Sequence, residues 1–404
     1  MTTVDTRPQL PFPRPSVLEI APIYAVLNRQ AAPVEVLTPA GDSAWMVTRF
    51  EQVRFVLGDP RFGRSHPEPE RAPRVSDSAI MGGPSMAHEN EHARHLRFRK
   101  LVVPAFSAGR MRKLSDHVQT LVDARIDDMV AQHDADPTRP VDLHALLSLP
   151  LPVQVICELL GVPAEDRHYV HETSTQLGRM DVGPAAGAAW RDFASYIKRL
   201  AEAKRVDPRP DVISDLVLAQ AEDPGLTDDD IANISVGLLF GGHETTMSRI
   251  DSGVIWLLAD LFRRDRFVAD PDGQAHATVE EVLRITASNG IGQLRYAHDD
   301  VEIEGAAIRR GDAVLVNTGI ANHDPAVFSD PEVFNPSRDP NHHLAFSHGL
   351  SFCVGASLAR VELRIALATL FRRIPTLRLA VAPEDLEFRP GSVTGGLISV
   401  PVTW

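Results

Sequence analysis

The spacing of apolar residues divides the chain into a long helical part and a later part that favours short strands. From about residue 50 to residue 270, apolar side chains recur three and four positions apart, for example over 96–103 and 111–131, which is the period of an amphipathic helix. Earlier, the apolar runs 33–37 and 44–48 flank a glycine-containing loop and predict a hairpin. After residue 285, short apolar runs punctuated by glycine and proline predict strands at 301–305, 306–308 and 313–317.

Three segments interrupt the helical part. Residues 60–90 are rich in proline and glycine and show no sustained period, so we expect a long irregular loop, and loops of that length are commonly functional. Residues 178–190 and 204–211 predict two further breaks between helices. None of them resembles a linker between independent cores. We therefore predict a mainly α protein with small β-sheets, one domain over 1–404, and a last helix after Cys353.

Composition excludes several classes of function. The 404 residues carry a formal net charge of −13, which argues against nucleic-acid binding, because such proteins present a basic face. Only two cysteines occur, so a disulfide framework is excluded and a reducing cytoplasm is expected. No apolar stretch approaches the ~18 residues that cross a bilayer, and the charged, proline-rich N-terminus predicts neither a secretion signal nor a membrane anchor.

The clearest chemical signal is the segment from Phe346 to Gly355, which reads FSHGLSFCVG and precedes a helix with apolar periodicity. Its glycines, Gly349 and Gly355, allow a tight turn close to a flat partner. Cys353 then lies just before a helix N-terminus, where backbone N–H groups and the helix dipole favour a thiolate. A thiolate that faces a planar macrocycle needs this geometry. The alternative for a lone cysteine, a buried inert thiol, fits Cys157.

A second signal lies in a long predicted helix that starts after Thr227 and runs for roughly 48 Å. Gly241 and Gly242 lie in its middle, where each glycine costs about 1 kcal/mol relative to alanine. The missing side chains and the Thr245 hydroxyl could leave room for a small ligand or water, and Glu244 could relay protons. The alternative is a close helix-packing contact beside an ordinary exposed glutamate.

Two zinc-binding interpretations are weak. The segment HETTM at 243–247 imitates the metalloprotease pattern HExxH, but Met247 occupies the position of the second histidine. A site built from His342, His343, His348 and Cys353 matches none of the usual zinc-finger spacings.

Two charged groups add weaker signals. Glu281 and Arg284 are neighbours on one face of a predicted helix, but most such pairs are surface ion pairs of little value. His95 and Arg99 lie on one side of another helix and suit an anionic group, and Arg295 could join them from the predicted β region. The alternative is a solvated basic helix face.

Together, and in this order, these motifs resemble the cytochrome P-450 superfamily over nearly the whole chain. HLAFSHGLSFCVG resembles its cysteine-ligand loop, GGHETT its oxygen-activation motif and EVLR its helical Glu-x-x-Arg. FNPSR, which ends at Arg338, resembles the segment whose arginine completes that ion-pair network, and HLRFRKLVVPAF resembles the haem-contacting helix. The resemblance implies a triangular-prism-like helical fold that holds haem b between the long central helix and the cysteine loop.

The resemblance also implies roles for individual residues. Cys353 would be the axial ligand of haem iron, and Glu244 and Thr245 would deliver protons during catalysis. The other implied haem contacts are His95, Arg99, Arg295 and Ser351 at the propionates, Phe346 near the thiolate, Gly349 and Gly355 in the cysteine loop, and Gly241 and Gly242 in the central helix. Glu281, Arg284 and Arg338 would be structural.

Three departures from the family pattern matter. Ser351 stands two residues before the cysteine, where bacterial members usually have histidine, so a hydroxyl replaces a cation. Ser347 stands one residue after Phe346, where a glycine is usual. Both are expected to alter haem affinity or reduction potential. The proline common downstream of Glu-x-x-Arg is absent from 286–292, which leaves the shape of that segment open.

By the same resemblance, substrate contacts come from the 60–90 and 178–190 loops, the central helix and two later segments. The candidate residues are Leu239, Ser288, Asn289, Gly290, Ile291, Val393 and Thr394. We expect a monooxygenase that activates O2 and oxidises a hydrophobic small molecule, by hydroxylation, epoxidation or oxidative coupling, in bacterial secondary-metabolite biosynthesis. The alternatives are a peroxide-driven haem-thiolate oxidase and a non-catalytic haem-binding sensor.

Electrons are expected from outside the chain, because its 404 residues contain no flavin or nicotinamide segment. The resemblance implies NAD(P)H as the source, with a small acidic ferredoxin and a ferredoxin reductase as carriers. A basic docking face is predicted at Arg110, Arg112, Lys113, Arg360 and Arg364, with scattered surface charge as the alternative. We expect a cytoplasmic monomer that contacts neither nucleic acid nor membrane.

Overall fold

Helices dominate the computed structural model, which describes residues 6–78, 82–84, 90–177, 184–287, 291–392 and 395–404. The helices are α1 (Ile23–Leu27), α2 (Phe50–Gly58), α3 (Glu91–Val102), α4 (Ala108–Ala135), α5 (Pro150–Leu160), α6 (Arg167–Leu177), α7 (Pro184–Val206), α8 (Val212–Glu222), α9 (Asp228–Leu258), α10 (Leu261–Ala269), α11 (Pro271–Ile285), α12 (Thr318–Ala321) and α13 (Ala356–Arg373). Short 3-10 turns include Pro69–Arg71 and Gly349–Ser351, and His144–Ser148 forms a π-helical turn.

The strands form small sheets, as the sequence predicts. They are β1 (Val34–Leu37), β2 (Ser43–Val47), β3 (Phe62–Gly63), β4 (Val141–Asp142), β5 (Gln293–Ala297), β6 (Val301–Ile303), β7 (Ala306–Ile308), β8 (Ala313–Val316), β9 (Arg378–Leu379) and β10 (Pro401–Thr403). Within the described residues, β1-β2-β8-β5-β3 form a five-stranded sheet and β4-β10-β9 a three-stranded one. β1 pairs antiparallel with β2, which confirms the N-terminal hairpin.

Helix α9 is the long central helix, and it begins where its capping residue predicts. The Thr227 hydroxyl accepts the N–H of Asp230, whose carboxylate accepts the N–H of Thr227, so a capping box satisfies two N-terminal donors. The helix continues through both central glycines to Leu258. It packs against α5, α7 and α13 within the largest hydrophobic core. This burial explains why its side chains are apolar on nearly every face.

Two predicted breaks are shorter than expected. Residues 184–190, assigned to an irregular break, begin α7, because alanine has the highest helix propensity of any residue. Helix α7 also extends to Val206, so the next break starts after that residue. Asp211 ends this break by accepting the N–H of Ser214 at the start of α8. Across the described part of the chain, no helix is both long and apolar enough to cross a membrane.

Candidate functional site

The segment from Phe346 to Gly355 forms a tight loop before α13. The Cys353 N–H donates to the Phe346 carbonyl at 2.8 Å, which closes the loop. Gly349 has φ 61°, and a Cβ there would meet the Leu57 carbonyl oxygen of α2 at 3.2 Å, so this turn favours glycine. Gly355 has φ −86°, and a Cβ there would lie 3.9 Å from the Cys353 sulfur. Backbone strain therefore explains Gly349 but not Gly355.

The two cysteines have different surroundings. Cys353 is exposed as a residue, yet burial of its sulfur raises the pKa of the thiol, and the Gly355 N–H, Arg360 and Arg99 only partly oppose this effect. A metal cation bound to this sulfur would deprotonate the thiol outright and add to the effect of the helix N-terminus that the sequence predicted. Cys157 is fully buried in α5, and burial raises its pKa to about 12, which confirms an inert structural thiol.

A buried aromatic ring at the start of the cysteine loop packs against an arginine of α13. Phe346 is buried, and the Arg360 guanidinium lies 4.5 Å from its ring centroid. Arg360 also donates two hydrogen bonds to Glu280, at 2.7 and 2.8 Å. Burial favours the neutral acid, but hydrogen bonds from Arg360 and His343 lower the pKa of Glu280 to about 2. Arg360 therefore forms an ion pair with Glu280 while its side chain stays 30% exposed.

Three of the predicted basic residues meet at this loop. The His95 Nε2–H donates to the Leu350 carbonyl at 2.8 Å, which fixes the tautomer because a carbonyl oxygen can only accept. Arg99 donates to the carbonyls of Leu350 and Phe352 at 3.1 and 2.7 Å. From β5, the buried Arg295 donates to the Ser351 hydroxyl at 3.2 Å. The structure therefore brings together side chains from α3, β5 and the cysteine loop.

His95, Arg295 and Ser351 border an open cavity of about 550 Å³. Its walls come from the end of α2, β3, the start of α3, β5 and the cysteine loop, and they include Arg64, Glu91, His92, His95, Arg295 and Ser351. Arg64 was missed by the sequence reasoning because it lies in the irregular 60–90 segment. The signal that locates it is the pairing of β3 with β5, which no local pattern reveals. The cavity has the composition of an anion site.

One face of α9 is open. Asn233, Gly237, Gly241 and Thr245 are exposed at intervals of four residues along an otherwise buried helix. A Cβ at Gly241 would meet nothing within 4 Å, whereas one at Gly242 would meet the Ile156 side chain of α5 at 2.9 Å. Both interpretations of the glycine pair therefore hold, one for each residue: Gly241 opens space and Gly242 permits close helix packing.

The predicted acid and hydroxyl lie beside this open face. The Thr245 hydroxyl donates to the Gly241 carbonyl at 2.6 Å, one turn back along the helix. Glu244 is only 3% exposed, so the interpretation as an ordinary exposed glutamate is wrong. Leu239 is buried in the main core and projects about 200° away from Gly241 around the helix, so it lies off the open face.

The remaining predicted substrate contacts fall mostly outside the described residues. Ile291 is 3% exposed and packs in a hydrophobic cluster with Ala287 and Leu294. Ser288, Asn289, Gly290, Val393 and Thr394 lie outside the described residues.

The Glu281–Arg284 pair is completely buried, so the interpretation as a surface ion pair is wrong. Arg284 donates to both carboxylate oxygens of Glu281, at 2.9 and 2.7 Å, and to the carbonyls of Asn322 and Pro331. Arg338 lies 3.6 Å from the same carboxylate, as the resemblance implied. This network ties α11 to the chain that leads into the cysteine loop, which is a structural role.

Behind α9 lies a buried polar cluster that the sequence reasoning missed. His144 Nδ1 lies 2.8 Å from an Asp251 oxygen, and Arg389 donates to His144 Nε2 at 3.2 Å. Burial lowers the pKa of His144, but the Asp251 carboxylate outweighs this effect and raises the pKa above its usual value. About two turns earlier in α9, His243 Nδ1 lies 3.1 Å from the Ser174 hydroxyl of α6. No sequence motif marks these residues, because they meet only through tertiary packing.

The structure also bears on the zinc site and on the docking face. Among the described residues, no group of three or more His, Cys, Asp or Glu side chains could hold a metal ion, so His342, His343, His348 and Cys353 do not form a zinc site. Of the predicted docking residues, Arg110 forms a 2.5 Å ion pair with Asp215. The exposed cations of this set are Arg112, Lys113 and Arg364.

Comparison with known proteins agrees with this arrangement. The family model for cytochrome P-450 matches residues 275–389. The chain is 38% identical to pentalenolactone synthase of Streptomyces exfoliatus, covering 98% of this chain and 99% of that protein. It is 39% identical to nocardicin C N-oxygenase of Nocardia uniformis subsp. tsuyamanensis, covering 100% of both. The crystal structure of PimD, a polyene macrolide antibiotic pimaricin epoxidase, matches with a TM-score of 0.86, 36% identity and coverage of 99% of this chain and 100% of that one.

A helical fold with a cysteine loop before its last long helix, and with cations gathered at that loop, defines a haem-thiolate oxidoreductase. The chain belongs to the cytochrome P-450 family and is a monooxygenase of that class. The described residues fit the haem of this family in three respects: a single thiol on the loop, an open glycine face on α9, and an arginine- and histidine-lined cavity.

Proposed function

We propose that this chain holds haem b through Cys353 and oxidises a hydrophobic small molecule in bacterial secondary metabolism. The observation that carries the proposal is the convergence of His95, Arg99 and Arg295 on the loop of the only exposed cysteine among the described residues. Bound haem supplies the activation of dioxygen and the transfer of one oxygen atom to the substrate.

The chain's own residues would bind and orient the cofactor. The Cys353 sulfur binds the iron, and the Phe346 ring and Arg360 fix the loop beneath it. His95, Arg99 and Arg295 hold propionates by charge, and the Ser351 hydroxyl adds a neutral hydrogen bond.

The open face of α9 would serve the oxygen and substrate side. The Thr245 Oγ1–H now donates to the Gly241 carbonyl, and a rotation of this hydroxyl places the proton in the open space instead. Glu244, the preceding residue, is buried and would be the acid that supplies protons to this hydroxyl. Asn233, Gly237 and Gly241 line the same face and leave room for a substrate.

The similar proteins do not decide which type of oxidation this chain catalyses. The names of similar proteins span a synthase, an N-oxygenase and an epoxidase of a polyene macrolide. These names support a substrate that is a mid-sized metabolite, and they support hydroxylation, epoxidation or oxidative coupling as the outcome. Leu239 is not retained as a contact, because it lies in the core.

External electron delivery is the last part of the proposal. NAD(P)H would supply electrons through a ferredoxin reductase and a small acidic ferredoxin to a monomeric, cytoplasmic protein. Arg112, Lys113 and Arg364 are the exposed cations of the predicted docking face, since Arg110 and Arg360 already form ion pairs. Reduction should slow steeply with added salt, because surface charges are screened.

The cysteine pair offers a matched test of the haem-thiolate assignment. Reduced wild-type protein under carbon monoxide should give the red-shifted Soret band of thiolate ligation, and Cys157→Ser should keep it. Cys353→Ser should abolish it. A thiolate band that survives Cys353→Ser, or a wild-type spectrum typical of nitrogen-ligated haem, would refute the assignment.

A substrate-library screen then tests turnover. Compounds that shift the Soret band are incubated with ferredoxin, its reductase and NADPH, and the products are analysed by mass spectrometry. Product that gains one oxygen atom, or loses two hydrogens with oxygen consumed, supports the monooxygenase. Product formed only with added peroxide would favour the peroxide-driven oxidase, and binding without any product would favour a sensor.

A further inference from the structure

Two arginines face each other across the β3–β5 pair. Phe62 lies opposite Ala297 and Gly63 opposite Tyr296, so the antiparallel register brings the next residue, Arg64, opposite Arg295. Both side chains line the 550 Å³ cavity that also contains His95 and Ser351. The sheet therefore presents two guanidinium groups side by side at the edge of the cysteine loop.

This juxtaposition is electrostatically unfavourable unless an anion is near. Like charges directly opposite each other on paired strands repel. Burial lowers the pKa of both groups, and the nearby Arg64 lowers that of Arg295 further, to about 10, against the attraction of Glu91. Arginine stays charged at neutral pH all the same, so the positive charge persists in the cavity.

Glu91 lies near both arginines and also anchors the backbone that carries Arg64. Glu91, at the start of α3, accepts the backbone N–H of Arg64 at 2.7 Å and that of Ser65 at 2.9 Å, and it also accepts the Ser65 hydroxyl. A Cβ at Gly63 would lie 2.4 Å from the Glu91 carboxylate and 2.4 Å from the His298 ring, so a side chain there would push Glu91 out of this position. Glu91 thus anchors the backbone that carries Arg64 and fixes the position of that side chain relative to β5.

The family pattern described in the sequence analysis has a cation at the same edge of the cavity. Ser351 stands where bacterial members of the family usually have histidine, and its hydroxyl hydrogen bonds to Arg295. We propose that Arg64 is a propionate-binding residue of this chain, and that it supplies through β3 the positive charge that Ser351 does not. This inference rests on the proposed haem site and adds a residue to it that no motif marks.

The test measures haem retention rather than activity. Haem loss from Arg64→Gln to an excess of apomyoglobin should be about tenfold faster than from wild type, the usual scale for one charge-assisted hydrogen bond. The matched control is Arg61→Gln, three residues earlier, whose guanidinium pairs with Asp59 at 2.6 Å. It should lose haem at the wild-type rate. The ferric/ferrous midpoint potential should fall in Arg64→Gln only, because a cation disfavours the ferric state.

A rescue experiment separates this role from a structural one. Ser351→His, which restores the family's usual cation, should slow haem loss again in the Arg64→Gln background and change it little in the Arg61→Gln background. Arg64→Lys keeps the charge and should stay near wild type. Thermal unfolding of each haem-free protein reports whether a variant has lost stability for other reasons.

The outcomes distinguish a failure of the role of Arg64 from a failure of the proposed function. If Arg64→Gln retains haem as firmly as Arg61→Gln, or if Ser351→His fails to rescue it, the role of Arg64 is refuted while the thiolate spectrum of wild type still supports the proposed function. If wild type itself lacks the thiolate band, the proposed function fails and the role of Arg64 fails with it.

Discussion

Ser347 combines two unfavourable features in the cysteine loop, which makes Ser347→Gly an informative substitution. Its φ is 65°, in the left-handed region that costs a residue with a Cβ about 1–2 kcal/mol. Its hydroxyl oxygen is buried and has no hydrogen-bond partner among the described residues, and burial without a partner costs about 1–3 kcal/mol. Glycine removes both costs and adds only about 0.5–1 kcal/mol of chain entropy in the unfolded state. We therefore expect Ser347→Gly to stabilise the protein by about 1–4 kcal/mol.

Urea unfolding of the haem-free protein measures this change as a shift of the midpoint at constant slope. Ser347→Ala keeps the Cβ at positive φ and removes the hydroxyl, so it should recover only part of the gain. Glu304→Gly relieves positive φ at an exposed turn without any buried hydroxyl, and it isolates the backbone contribution. If Ser347→Gly is no more stable than wild type, the loop is not strained. The same conclusion follows if Ser347→Ala is as stable as Ser347→Gly.

Three further outcomes follow from two buried groups and from the open face of α9. Glu281→Gln leaves the fully buried Arg284 without its anion and should cost about 3–5 kcal/mol of unfolding free energy in urea; a loss below about 1 kcal/mol would contradict the burial. Thr245→Ala removes the hydroxyl on the open face of α9, so peroxide release per NADPH consumed should rise; unchanged coupling would remove Thr245 from proton delivery. His243 has its pKa lowered by burial from 6.5 to about 3, so the unfolded chain binds a proton that the folded one does not. Stability should fall as pH drops below about 6.5, by up to about 1.4 kcal/mol per pH unit for this group. His243→Gln should remove that part of the slope, and an unchanged urea profile between about pH 6.5 and 5 would refute the assignment.

The sequence alone predicted those features that depend only on residues close together in the chain. The capping box at Thr227, the helix that follows it and the loop before α13 all follow from spacing within a few residues. The same holds for Cys353, because turn glycines and a helix start define its position without any distant contact.

Tertiary placement explains what the sequence could not show. The spacing of Glu281 and Arg284 is identical for a surface pair and a buried one, and only the packing of α11 distinguishes them. Arg64 lies in a segment without periodicity, and its partner Arg295 is far away along the chain and meets it only through the sheet. The segment 184–190 shows the reverse error, since its small residues suggested a loop although alanine favours the helix that forms there.

The exposed glycine at position 237 has a consequence for how this enzyme can be altered. A Cβ there would meet nothing within 4 Å, and alanine in mid-helix is favoured over glycine by about 1 kcal/mol. Enlarging this side chain would therefore reshape the volume above the helix without disturbing the interior. If the open face holds substrate as proposed, substrate preference can change at this position independently of folding, which makes it a natural first choice for redesign.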